Sequence, residues 1–280
     1  MEHLPTNSRP VPDNRPIGVF DSGLGGLTAL KELERILPGE SFVYFGDTGR
    51  VPYGTRSRET VRRYAAQDME FLIGHNVKAV LAACGTVSST AGDIGRRLPV
   101  PYFDVIGPAA AAAAAATRNK KVGVIGTSAT IHSGAYRQAL LAIDPALEVF
   151  SQPCPLFVPL VENGFVSPQD EVARLVAQRY LAPLREAGVD ALILGCTHYP
   201  IISAVIGQAM GEAVVLVDPG REAAQALAQA LAQQGLLCSA SGPRETAFFV
   251  TDEPESFTSV AELFLGHNVH GHTQRITIEG

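Results

Sequence analysis

Two cysteines stand out among the residues able to do chemistry. In the stretch from Val189 to Pro200, five apolar or small residues, Ala191 to Gly195, deliver Cys196, Thr197 and His198 in succession. Such a run reads as a strand buried on both faces, as parallel sheets require. Open α/β sheets hold their ligands just beyond the carboxyl ends of their strands. A cysteine at that point serves as nucleophile, acid or base, metal ligand, or simply as a small buried residue.

A second copy narrows the choice. Val77 to Thr86 follows the same plan, with Val77, Ala79 and Cys84 in step with Val189, Ala191 and Cys196. Each cysteine follows a small residue and has a threonine within two positions after it. A further pair agrees: Ile17 to Ser22 and Val122 to Thr127 are both Gly-Val strands ending in a hydroxyl residue. The offsets, 105 residues from Ile17 to Val122 and 112 from Val77 to Val189, suit one duplicated unit with small insertions. Duplication implies two similar halves about a pseudo-two-fold axis, which would bring the two cysteines to one cleft from opposite sides.

Four chemistries suit a facing pair. A disulfide needs a fitting Cα separation and an oxidising compartment. A zinc site on Cys84, Cys196 and His198 lacks the usual Cys-x-x-Cys or His-x-x-x-His spacing. Redox pairs usually lie close together in sequence, and these do not. The fourth is two-base proton transfer, in which one group takes a proton from one face of a carbon while another supplies one to the opposite face. A thiol with an ordinary pKa of about 8.5 can stand as thiolate or thiol near neutrality. His198 beside Cys196, and Asp21 at the tip of the first strand near Cys84, are suitable tuning groups. Threonine hydroxyls and loop amides could hold a substrate carboxylate.

The elements that must position these groups alternate strand and helix throughout, which predicts doubly wound α/β units. Strands are expected at Ile17–Phe20, Ser41–Phe45, the two cysteine segments, Pro101–Val105, Val122–Ile125, Ala213–Val217 and Ala247–Val250. The helix after Gly25-Gly26 carries Leu27, Leu30, Leu33, Ile36 and Leu37 on its apolar side. Its glycine turn fits neither the dinucleotide fingerprint nor the phosphate loop with lysine. Helices are also expected at about Glu59–Gly74, from about Ser88 to near Pro99, from Thr130 to about Ile143, at Asp170–Glu186, Glu222–Gln234 and Pro254–Leu265. Pro108 and the eight alanines after it read as a plain helix with proline at its first position. Val51-Pro52-Tyr53-Gly54 reads as a rigid turn with an exposed phenol, and Glu162 as a residue at a turn. The polar tail with His267, His270 and His272 lacks a metal geometry and reads as mobile surface.

Composition excludes several classes. The net charge of −6 over 280 residues leaves no basic footprint, so nucleic acid is not the main partner. No apolar run reaches the roughly 18 residues of a membrane span. Met1 to Pro16 holds four prolines and no apolar core, and reads as a flexible leader rather than a targeting peptide. Four cysteines are too sparse for a disulfide scaffold, which points to the reducing cytoplasm.

Taken together, these segments resemble the glutamate racemase family. The resemblance rests on Gly18 to Gly26, Gly46-Asp47-Thr48, Pro52-Tyr53-Gly54, Ala83-Cys84, Pro159 to Glu162 and Gly195 to Pro200. It covers nearly all of the chain after residue 16, and its last segment is highly specific. It implies two α/β domains sharing a cleft, 17–107 with 218–280 and 108–217, the C-terminal segment returning to the first. It implies racemisation of glutamate with no cofactor and no metal, to supply D-glutamate for peptidoglycan, by a homodimer. Cys84 would be the base for D-glutamate and Cys196 for L-glutamate, with Asp21, His198 and Glu162 assisting. Ser22, Tyr53 and Gly54 would meet the side-chain carboxylate. Thr86, Thr127, Thr130 and Thr197 would line the α-amino and α-carboxylate end, and Asp47 joins the substrate site within its motif.

Two positions depart from the family pattern. Gly85 stands where the family has asparagine, and Gly49 where alanine is more usual. An amide lost at position 85 would cost on the order of 1–3 kcal/mol of binding. A racemase or decarboxylase for another small acid, or a weakly active binding protein of the kind reported to inhibit DNA gyrase, are the other functions that the resemblance leaves open.

Overall fold

The computed structural model describes residues 12–239, 244–269 and 272–278. The chain opens with β1 (Ile17–Asp21), α1 (Leu27–Ile36), β2 (Phe42–Gly46), α2 (Arg58–Gly74), β3 (Ala79–Ala82), α3 (Gly85–Gly95), β4 (Tyr102–Asp104) and α4 (Ile106–Ala116). It continues with β5 (Lys121–Gly126), α5 (Ser128–Ser133), α6 (Ala135–Ile143), β6 (Glu148–Pro153), α7 (Phe157–Glu162), α8 (Glu171–Glu186), β7 (Ala191–Leu194), α9 (Ser203–Met210) and β8 (Val215–Val217). It closes with α10 (Pro219–Gln234), β9 (Thr246–Val250), α11 (Pro254–Leu265) and β10 (Thr273–Arg275).

The strands form two wholly parallel sheets, ordered β10-β9-β2-β1-β3-β4 and β6-β5-β7-β8. The second repeats the order of β2-β1-β3-β4 in the first. Register repeats as well. Ile17 pairs with Ala79, and Val122 pairs with Ala191. These partners are separated by the 105- and 112-residue offsets that align the two halves in sequence, so β3 and β7 hold equivalent places and both lead into a cysteine.

The chemistry of the strands explains their burial. β1, β2, β3 and β7 are buried along their whole length, which a continuous apolar run permits and a parallel sheet requires. Ile17 and Val19 face the core shared with α1 and α10, while Phe20 faces the one beneath α2 and α3. Leu27, Leu30 and Leu33 are fully buried, each contributing about 1.5–3 kcal/mol of transfer free energy. The larger core runs without a break from the first sheet into the second.

Several sequence expectations change here. α3 starts at Gly85 rather than near Ser88, so Cys84 is its N-cap. α4 starts at Ile106, placing Pro108 third in its first turn, where a missing N–H still costs nothing. The helix expected as far as Ile143 is two, broken at Gly134, whose φ of 68° is left-handed. Glu162 ends the helix α7 instead of sitting in a turn. β6 and α9 were not legible.

The described residues near each end make contacts that the sequence did not predict. Residues 1–11 of the expected leader lie outside the described residues, but Asp13 and Pro16 accept hydrogen bonds from Lys78 through their carbonyls. Of the histidine tail, His270 lies outside the described residues. His267 meets Glu34 at 3.1 Å, and the His272 carbonyl accepts from Phe248 N–H next to β10, which pairs with β9. The tail extends a sheet. No helix among the described residues is long and apolar enough to cross a membrane.

Candidate active site

The carboxyl ends of both sheets meet at a cleft of about 620 Å³. It takes Asp21 and Ser22 from the end of β1, Cys84, Gly85 and Thr86 from the step between β3 and α3, and Tyr53 and Gly54 from the loop after β2. The second half supplies Thr127 after β5, Glu162 from α7, and Cys196, Thr197 and His198 after β7. Two expected site residues stand one layer behind. Thr130 is buried and bonds Thr86 and Thr127 at 3.4 and 3.0 Å, completing a three-hydroxyl cluster in which Thr86 and Thr127 are 3.1 Å apart. Asp47 is buried and accepts from Thr251, Arg50 and Tyr53.

Each sulfur has its own polar company. Cys84 Sγ lies 3.5 Å from Ser22 Oγ, and its thiol is pushed up to about 12, first by burial and then by the Asp21 carboxylate. Asp21 is itself raised by burial, opposed by the charge of His198, and it accepts from Gly23 N–H at 2.9 Å. Cys196 Sγ lies 4.0 Å from His198 Nδ1, and His198 Nε2 lies 2.9 Å from Glu162 Oε1. Burial alone would lower the imidazole, but Cys196 and Glu162 outweigh it and hold His198 up at about 10. Thr197 Oγ1, 3.5 Å from Asp21 Oδ1, links the two half-sites.

The phenol of Tyr53, expected from the sequence to be exposed, is buried. Tyr53 is 1% exposed and its hydroxyl is spent on Asp47 and Asp68, so the residue offers its main chain to the cleft. His198 is the one cation-forming side chain among the described residues lining the cleft. An acidic ligand there must rest on backbone amides and hydroxyls, which are plentiful from Ser22, Thr86, Thr127 and Thr197.

Close backbone approach joins the half-sites. A Cβ on Gly85 would stand 2.4 Å from the Gly195 carbonyl oxygen, and one on Gly25 would stand 2.0 Å from Thr197 Oγ1. Only glycine lets these segments touch. The place of a Cβ at position 85 is therefore crowded by backbone of the opposite half.

The sequence also missed Asp252, Ser256, Phe257 and Val260, which close the cleft from β9 and α11. β9 runs parallel to β2, so the rule that ligands lie beyond carboxyl strand ends would have picked out Thr251 to Glu253. Thr28 bonds the Thr197 carbonyl at 3.1 Å, and nothing in the sequence marked it.

Comparison with known proteins agrees with the fold. The family model of the Asp/Glu/Hydantoin racemases matches residues 17–227. A glutamate racemase of Geobacter metallireducens is 47% identical over 266 residues, 95% of this chain and 97% of that protein. One from Neisseria meningitidis is 45% identical, covering 91% and 94%. The crystal structure of glutamate racemase from Francisella tularensis in complex with D-glutamate superposes with a TM-score of 0.89 at 43% identity, covering 95% of this chain and 99% of that one.

Proposed function

The chain belongs to the Asp/Glu/Hydantoin racemase family, and from that premise we propose that it interconverts L- and D-glutamate by two-base proton transfer without a cofactor. The observation that carries this reading is the equivalent placement of Cys84 and Cys196 beyond β3 and β7, on one cleft, each beside a different proton partner.

In the L-to-D direction the Cys196 thiolate takes the Cα proton while the Cys84 thiol delivers its own proton to the opposite face. The products are D-glutamate, a Cys196 thiol and a Cys84 thiolate, from which the reverse reaction starts. A Cys84 thiol held up at about 12 suits the donor role. His198, fixed by Glu162, orients and balances Cys196, and Asp21 does so for Cys84. The main chain of Tyr53 and Gly54, with Ser22, receives the distal carboxylate, and the threonine cluster receives the α end. Gly85 gives its close contact with Gly195 in place of an amide.

We extend the reading to a cytoplasmic homodimer supplying D-glutamate for peptidoglycan. Its two domains comprise 17–107 with 218–280 and 108–217. The test is circular dichroism of the protein with each enantiomer in turn. Optical signal should vanish from both starting solutions. A steady signal from folded protein would overturn the reading.

A further inference from the structure

Behind the cleft loop lies a buried carboxylate pair that this reaction scheme does not use. Asp47, just after β2, and Asp68, in the middle of α2, are both 0% exposed. Tyr53 Oη touches Oδ2 of Asp47 and lies 3.0 Å from Oδ2 of Asp68. A phenol has one proton, so it satisfies one carboxylate by donating, and the second contact needs a proton from the other acid.

The remaining partners show which acid carries that proton. Asp47 already accepts from Arg50 Nε at 2.6 Å and from Thr251 Oγ1 at 2.8 Å, as a carboxylate should. Asp68 accepts from Arg50 Nη2 at 2.9 Å through Oδ1, which leaves Oδ2 to bear a proton toward Tyr53. Burial, and then Asp47 beside it, push Asp68 well above the ordinary carboxylate range. One arginine against two buried carboxylates leaves a charge that this proton removes.

Two arms of the network, Arg50 and Tyr53, belong to the loop that walls the cleft. Arg50 begins it, and its guanidinium also stacks 4.2 Å over Tyr64. Tyr53 sits at its centre, and Gly54 packs so tightly on Thr127 that a Cβ would stand 2.9 Å from the Thr127 Cβ. We propose that Asp68 is a positioning residue which, as a neutral acid donating to Tyr53 and accepting from Arg50, fixes residues 50–54 against the second half and so sets the affinity for the substrate's distal carboxylate. This rests on the glutamate reading for the identity of that carboxylate, though not for the placement of the loop.

The experiment compares Asp68→Asn, which keeps one donor and one acceptor in the same shape, with Asp68→Ala, which keeps neither. The alanine variant should raise KM for both enantiomers about tenfold while kcat changes less than about threefold. The asparagine variant should stay within about threefold of the parent in both constants. Amide hydrogen exchange should quicken at residues 48–55 in the alanine variant, with helix 171–186 unchanged. Unchanged KM and unchanged exchange in Asp68→Ala would overturn the proposal, as would an asparagine variant as impaired as the alanine. Loss confined to kcat would also overturn it. A parent protein inert toward glutamate would sink the glutamate reading alone, because exchange at 48–55 still decides the role of Asp68. Should Asp68→Ala fail to fold, Tyr53→Phe, which removes the hydroxyl that Asp68 meets, takes its place with the same expected rise in KM and quickened exchange at 48–55, and unchanged values there would overturn the proposal.

Discussion

The two cysteine half-sites stand at equivalent points of two sheets and still differ in chemistry. Cys84 caps a helix directly after β3, is pushed up to about 12, and has a carboxylic acid for company. Cys196 is followed by a short turn and has an imidazole held at about 10 by the sulfur and by Glu162. Strand order and register reproduce the position of the sulfur, because both follow from the duplicated backbone. The polar neighbours do not repeat: Asp21 ends β1, whereas Glu162 ends α7, which follows β6, the counterpart of β2. On the proposed mechanism, a symmetric substrate problem, one carbon approached from two faces, would be met by two sulfurs with unlike neighbours.

The largest test removes one sulfur at a time. Cys84→Ser and Cys196→Ser should each lower racemisation by about 10²–10⁴-fold, the usual worth of a placed acid or base. Proton spectra in heavy water separate the halves. Cys84→Ser should exchange only the α-proton of L-glutamate, and Cys196→Ser only that of D-glutamate. Exchange of both enantiomers by either variant would break the assignment of faces.

The second test reads the asymmetry through stability against pH. His198 is raised in the fold from 6.5 to about 10, so its stabilising proton is fully bound below about pH 6.5 and lost as pH rises toward 10. Cys84 is raised from 9.0 to about 12, so its loss belongs to the window above pH 9. Each window should show a slope of at most about 1.4 kcal/mol per pH unit for its one proton. In urea titrations His198→Asn should flatten the fall between pH 7 and 9, and Cys84→Ser the fall above 9. Windows that respond to the wrong variant would show that the half-sites are not ordered as described.

The third test wedges the halves apart where they touch. Gly85→Asn places a Cβ 2.4 Å from the Gly195 oxygen, an overpacking worth about 1–3 kcal/mol. Stability and turnover should both fall, although the family pattern has asparagine there. Higher activity would show that the missing amide matters more than the close approach.

How much of this was legible follows from the range of each interaction. The sulfurs, their strands and the duplication were readable because apolar periodicity and a repeated small-Cys-Thr pattern are local. The neighbours Asp21 and His198 came with those strands. Tyr53 was read with its phenol exposed because the partners that bury it, Asp47 and Asp68, are recognisable only after β2 and α2 are packed. β6 was missed because its residues lie on a sheet edge, half-exposed, and carry no continuous apolar run. α7 was taken for a turn because six residues with an internal proline give too few positions for a helical period.

Thr28 marks the limit of that legibility and the smallest expected effect. Its hydroxyl lies 2.9 Å from the Gly25 carbonyl and 3.1 Å from the Thr197 carbonyl, 169 residues away. It thereby ties the first turn of α1 to the loop that bears Cys196, where Gly25 allows Thr197 to approach. A hydroxyl has one proton for those two acceptors, so the tie is shared and weak. Thr28→Val keeps the shape and removes the donor, costing about 0.5–1.5 kcal/mol of stability by urea midpoint. Because the loop carries Cys196 and not Cys84, exchange into L-glutamate by the Cys84→Ser, Thr28→Val double variant should slow. Exchange into D-glutamate by Cys196→Ser, Thr28→Val should hold. Equal slowing in both would mean that α1 supports the cleft as a whole rather than one of its two faces.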